Sequence, residues 1–140
     1  MNDASLNSNP FKFVIDRVMA VFPAEGEVLT EFGRNLWSVP EGEKSPELPW
    51  SEMLEHFASL ANARIEAGDM PCAEGYFNLI EALLMDGDDA VTNAISVAYA
   101  ETIMWNVKDP SKRRAGWKIV PPRLWHLYIE VWGEFKLVIE

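Results

Sequence analysis

The sequence predicts an all-α chain of five to six helices, arranged as an antiparallel bundle or a short irregular helical stack. Three observations carry this. Apolar residues recur at helical spacing through most of the chain. Two Gly-Asp pairs, Gly68-Asp69 and Gly87-Asp88, each supply a helix stop and a helix start within two residues. Prolines stand where helices begin or end, as in Asn9-Pro10, Pro23 and Pro121-Pro122. At 140 residues the chain fits one domain, long enough to bury a sizeable core.

Residues 1–9 are polar and are expected to be disordered. Asn9 caps a first helix that opens on Pro10 and runs to about Phe22, with Phe11, Val14, Ile15, Val18 and Val21 (or Phe22) on its apolar face. Pro23 ends it. Glu25 to Val39 fits a second, short helix through Val28, Leu29, Phe32 and Leu36, although Gly33 weakens it. Residues 40–49, PEGEKSPELP, hold three prolines and three glutamates and read as a loop. Trp50 to Ala67 is a strong helix, with Trp50, Met53, Leu54, Phe57, Leu60, Ala61 and Ile65 at i, i+3, i+4, i+7 spacing.

The stretch from Asp69 to Val107 is expected at the centre. It reads as two helices split by Asp86-Gly87-Asp88. Ala73, Tyr76, Phe77, Ile80, Leu83 and Leu84 share a face in the first, and Val91, Ala94, Ile95, Ala98, Thr102 and Trp105 in the second. Two such faces must be covered, and turns this short fold neighbours back antiparallel. Residues 106–121 read as a long basic loop. Lys108 to Arg123 holds six bases against one acid, a local charge of +5 that leaves the remainder near −15. A last helix follows from Pro122, through Leu124, Trp125, Tyr128, Val131 and Trp132.

The net charge of −10 argues against general nucleic-acid binding, since phosphates need a positive face. It suits solubility, or a basic partner met by electrostatic steering. No apolar run approaches the ~20 residues of a membrane span, and the N-terminus has no leader pattern. Cys72 stands alone, which fits a reducing cytosol. Phosphate-binding, nucleophile-elbow and metal motifs are absent from the sequence. Neither His56 nor His126 has a glutamate three residues earlier, so the bundle di-iron pattern fails and no metal or cofactor is expected. Glu81 and Glu101 fall on or beside apolar stripes. They read either as structural carboxylates with a partner or as an acid/base pair in a cleft.

Four pieces of the chain stand in order: Gly68-Asp69, the aromatic helix with Tyr76-Phe77 and Ile80-Glu81-Ala82-Leu83-Leu84, Gly87-Asp88, and the run from Val97 to Glu101. With the closing helix Pro122 to Gly133, they resemble a family of small helical immunity proteins of bacterial polymorphic toxin and contact-dependent growth inhibition systems. The resemblance covers about half the chain. It implies a cytoplasmic, cofactor-free protein that binds a cognate toxin domain, typically a basic nuclease, and blocks it stoichiometrically.

A role of that kind predicts an acidic contact surface drawn from Glu41, Glu43, Glu47, Glu52, Glu55, Glu66, Asp69, Asp86, Asp88 and Asp89, with an exposed anchor at Trp37, Trp50 or Trp117. Two other readings share the composition. One is a helical adaptor without a toxin partner; the other is an enzyme using Glu81 and Glu101. The oligomeric state is left open.

Overall fold

The computed structural model describes residues 9–37 and 48–132. Among these residues it is all-helical, with seven α-helices and one 3-10 turn. They are α1 (Pro10–Val21), α2 (Pro23–Leu36), α3 (Trp50–Glu66), α4 (Met70–Met85), α5 (Asp89–Ala98), the 3-10 turn Ala100–Thr102, α6 (Pro110–Lys118) and α7 (Pro122–Trp132). No helix among the described residues is long and apolar enough to cross a membrane. Of the expected 1–9 tail and 40–49 loop, only Asn9, Leu48 and Pro49 lie within the described residues.

Local chemistry starts and stops these helices. Asn9, Asp69, Asp88 and Asp109 are N-caps whose side chains accept from Phe11 N–H, Cys72 N–H, Val91 N–H, and both Ser111 and Lys112 N–H. Each such cap is worth about 1 kcal/mol. After α3, Gly68 takes φ +84°. Gly68 N–H then reaches Ile65 O at 3.0 Å and Asp69 N–H reaches Arg64 O at 2.8 Å, which satisfies two orphan carbonyls of the last turn.

Three expectations are corrected. The helix count rises to seven because the expected loop at 106–121 contains α6, whose Asp109-Pro110 start is the same cap-and-proline device as Asn9-Pro10. The second helix of the hairpin stops at Ala98 instead of running to Val107. Finally, α3 occupies the centre in place of the hairpin. It packs against α1, α2, α4, α5, α6 and the 3-10 turn, and buries Trp50, Met53, Leu54, Phe57, Ala58, Ala61, Asn62 and Ile65.

Aromatic rings fill the middle. Tyr76 lies edge-on to Phe22 and tilted against Phe57, both at 5.1 Å, and Phe57 also meets Tyr99 at 6.0 Å. Tyr76 O–H donates to Glu25 Oε2 at 2.6 Å, joining α4 to α2. A second cluster holds α6 on α7, where Trp117 sits edge-on to Trp125 at 5.0 Å and to Tyr128 at 4.6 Å. Such pairs add roughly 0.5–1.5 kcal/mol beyond the area they bury.

Candidate functional site

The site begins with a polar residue in the core. Asn62 faces the packed side of α3 and is 1 % exposed. Its amide nitrogen donates to Thr102 O at 2.9 Å, and its Oδ1 accepts from Met104 N–H at 3.0 Å. A continuous helix would have used both backbone groups internally. With the chain broken after Ala98, the Asn62 amide takes them. Met104 adopts φ +63°, a left-handed conformation that costs about 1–2 kcal/mol for a residue with a side chain.

From the other side, one Arg113 guanidinium nitrogen donates to Met104 O at 2.6 Å and Val107 O at 2.8 Å. Lys112 Nζ donates to Glu66 O at 2.6 Å, and Glu66 Oε2 accepts from Lys108 N–H. Much of the basic segment is thus spent holding this corner against α3. Packing tightens it further: a Cβ on Gly116 would stand 2.6 Å from Met104 Cε and 3.0 Å from Ile65 Cδ1.

The corner buries Ile103 and Met104 and turns Trp105 outward, where it is 71 % exposed. Below it opens a groove with a cavity volume of about 520 Å³. Phe32 and Leu36 of α2 form one wall. Glu52, Glu55, His56 and Ser59 line the floor from α3, where i, i+3, i+4 and i+7 share a face. Glu101, Thr102 and Trp105 supply the far wall, and Trp132 the end. Trp132 Nε1 donates to Glu101 O at 3.3 Å, which anchors the end of α7 to the corner.

Electrostatically the groove is one-signed. It has three carboxylates and, among the described residues that line it, no Lys or Arg. Desolvation, then the neighbouring charges of Glu52 and Glu101, push the Glu55 carboxyl above its ordinary value. His56 lies flat on Phe32, with ring centroids 4.2 Å apart and planes 1° from parallel. Burial lowers its pKa from the ordinary imidazole value, which favours the neutral ring. No group of three or more His, Cys, Asp or Glu among the described residues is placed to hold a metal ion. The groove thus sets carboxylates beside aromatic and apolar surface, a lining complementary to a cationic group with an apolar stem.

Of the acids expected at a contact surface, Glu52 and Glu55 line this groove. Glu66 and Asp69 are half-buried and engaged with the backbone at Lys108 and Cys72, and Asp88 caps α5 at Val91. Asp86 and Asp89 are exposed at the α4–α5 turn, outside the groove lining. Glu41, Glu43 and Glu47 lie outside the described residues.

Trp50 corrects the expectation of an exposed anchor. It is 8 % exposed, joins the core at the start of α3, and carries Lys12 Nζ 5.5 Å from its ring centroid. Trp117 is half-buried against Trp125 and Tyr128, whereas Trp37 is half-exposed. Sequence reasoning missed Phe32, Leu36, Trp105 and Trp132 as groove residues. The one available signal was Asn62, an amide on an otherwise apolar helix face.

Glu81 and Glu101 have separate roles. Glu81 Oε1 accepts from Leu124 N–H at 3.0 Å and Oε2 from Arg123 N–H at 3.1 Å, with the Arg123 guanidinium 3.7 Å away. It is the N-terminal cap of α7, supplied from α4. Glu101 is exposed at the groove wall, which Glu81 does not line.

The family profile described as Domain of unknown function (DUF7674) matches residues 15–133. No curated protein and no solved structure matches the chain.

Proposed function

The chain belongs to the DUF7674 family, a domain of unknown function, and from that premise we propose that it acts by binding another protein. The acidic aromatic groove between α2, α3 and the 3-10 corner is the contact site, and the role is stoichiometric neutralisation of a toxin domain in the cytoplasm. The observation that carries this is the groove's composition. Three carboxylates stand beside an indole that the fold turns into solvent at the expense of a left-handed Met104. Interfaces use such exposed aromatic anchors, and complementary charge to raise the association rate. The net charge of −10 adds long-range steering toward a basic partner. The resemblance of Gly68 to Gly133 to immunity proteins supplies the biological class.

A binding role also fits the way the polar groups are used. Glu81, the most buried carboxylate among the described residues, is engaged as a helix cap, and the half-buried His56 is stacked on a phenylalanine. The test is co-expression with the product of the adjacent upstream reading frame. The expected result is growth rescue and a 1:1 complex on size exclusion, with rescue lost in Trp105→Ala. Toxicity that persists with no complex formed would overturn the neutralisation role. A harmless neighbour would favour an adaptor that binds a different protein.

A further inference from the structure

We infer that the groove is an arginine receptor: it takes one arginine side chain from a basic segment of the partner, with the guanidinium between Glu55 and Glu101 and against the Trp105 indole. This rests on the reading that the chain works by binding a protein, and it specifies what that protein presents. Four features of the groove lead to it.

The cavity of about 520 Å³ falls in the range of ligand sites, so it admits a long side chain together with flanking backbone. Its carboxylates have no Lys or Arg beside them among the described lining residues, so a cation arriving there meets uncompensated negative charge. Burial, and after it repulsion from Glu52 and Glu101, raises the Glu55 carboxyl, and a positive group between the carboxylates relieves the repulsive part. Trp105 stands in the wall and is 71 % exposed, a flat π-face next to that charge.

Among cationic side chains the combination favours arginine. A guanidinium is planar, is weakly hydrated, stacks on indole and donates bidentate to a carboxylate; an ammonium is a compact, strongly hydrated point charge. Phe32 and Leu36 on the opposite wall cover the methylene stem. A second copy of this chain is the poorer occupant, because two bodies of charge −10 repel at long range.

The probes are blocked tetra-arginine, tetra-lysine and tetra-glutamine peptides, titrated at low salt into the 15N-labelled full chain. Backbone and indole N–H signals report the site. With tetra-arginine, the expected shifts centre on Trp105, Glu55, His56 and Glu101. Tetra-arginine should bind at least about threefold tighter than tetra-lysine, and tetra-glutamine should leave the spectrum unchanged. The double variant E55Q/E101Q should lose about tenfold in affinity. D86N/D89N removes the same charge at the exposed α4–α5 turn and should stay within about twofold. All four positions are exposed, and circular dichroism checks that both variants keep the helical fold.

Equal losses in the two double variants would reduce the effect to net charge and overturn the inference. Shifts mapping away from the groove, or equal affinity for lysine and arginine, would also overturn it. So would groove signals that move with protein concentration alone, which would give the site to a second copy. The peptide result is independent of growth rescue. Rescue without arginine binding removes this inference and keeps the neutralisation role; arginine binding without rescue does the reverse.

Discussion

Asn62→Ala tests the device that shapes the groove. The substitution removes the donor to Thr102 O and the acceptor for Met104 N–H, at a residue 1 % exposed and against a Met104 that is fully buried. A buried N–H left without a partner costs about 1–3 kcal/mol, and the lost bond to the Thr102 carbonyl adds about 0.5–1.5 kcal/mol. Loss of the amide leaves Met104's left-handed backbone held only through its carbonyl, by Arg113 and by Val107 N–H. The expected destabilisation is therefore about 1.5–4.5 kcal/mol, a large part of the roughly 5–15 kcal/mol typical of a domain. It should appear as a fall in melting temperature on the order of 10 °C.

Urea unfolding followed by far-UV circular dichroism measures it, through a lowered midpoint at unchanged slope. Asn62→Asp sharpens the test. Its carboxylate still accepts from Met104 N–H but turns a second acceptor toward Thr102 O, so it should not rescue at pH 7. Near pH 4 the protonated acid can donate to that carbonyl, so its deficit relative to the native chain should narrow. An Asn62→Ala loss below about 1 kcal/mol, or an Asn62→Asp variant as stable as the native chain at pH 7, would refute the proposed clamp.

Other expectations are more local. Gly26→Ala sets a Cβ 3.0 Å from the Met19 backbone and should force α1 and α2 apart, costing about 1–3 kcal/mol in a thermal melt. In the same measurement Gly75→Ala, with only Phe22 Cζ at 3.8 Å, should stabilise by about 0.5–1 kcal/mol through helix propensity. Glu81→Gln removes the charge and one of the two acceptors at the start of α7, and should cost about 1–3 kcal/mol by urea unfolding.

Glu55→Gln should raise the melting temperature at pH 7 and leave it unchanged near pH 3.5. Desolvation, Glu52 and Glu101 hold the folded carboxyl above its unfolded value. The unfolded chain therefore ionises first, and stability is lost as pH rises through that window. Matching melting temperatures for Glu55→Gln and the native chain at pH 7 would count against the repulsion.

The features legible in the sequence are those written in adjacent residues. Asn9-Pro10, Gly68-Asp69 and Gly87-Asp88 mark helix ends because a cap acts within three positions. The span Trp50–Glu66 follows from its apolar period. The helix α6 escaped because its KRRAGWK run lacks an apolar stripe and its basic residues suggest solvent. Yet Asp109-Pro110 carried the same start signal that was used at Asn9. The groove was out of reach for a different reason. Its walls come from α2, α3, α7 and a corner produced by Asn62, which is 40 residues before Thr102. On a helical wheel Trp105 shares a face with Ala98; only the break after Ala98 turns it outward. Trp50 fitted both the apolar stripe of its helix and an exposed anchor, and the stripe holds, since the first turn of a helix can pack as deeply as its middle.

The corner also orders events in time. From Val91 to Val107 the local pattern favours an unbroken helix, until Asn62 arrives from a distant position and Arg113 folds back from the following helix. A folding chain therefore meets a conflict between its nearest neighbours and its final contacts. The helix can overrun its native end early, and the last turns must unwind before Met104 N–H exchanges a helical carbonyl for the Asn62 amide. The groove is completed at that exchange, which makes it a late acquisition of the fold, and weakening the clamp hastens unfolding far more than it slows folding.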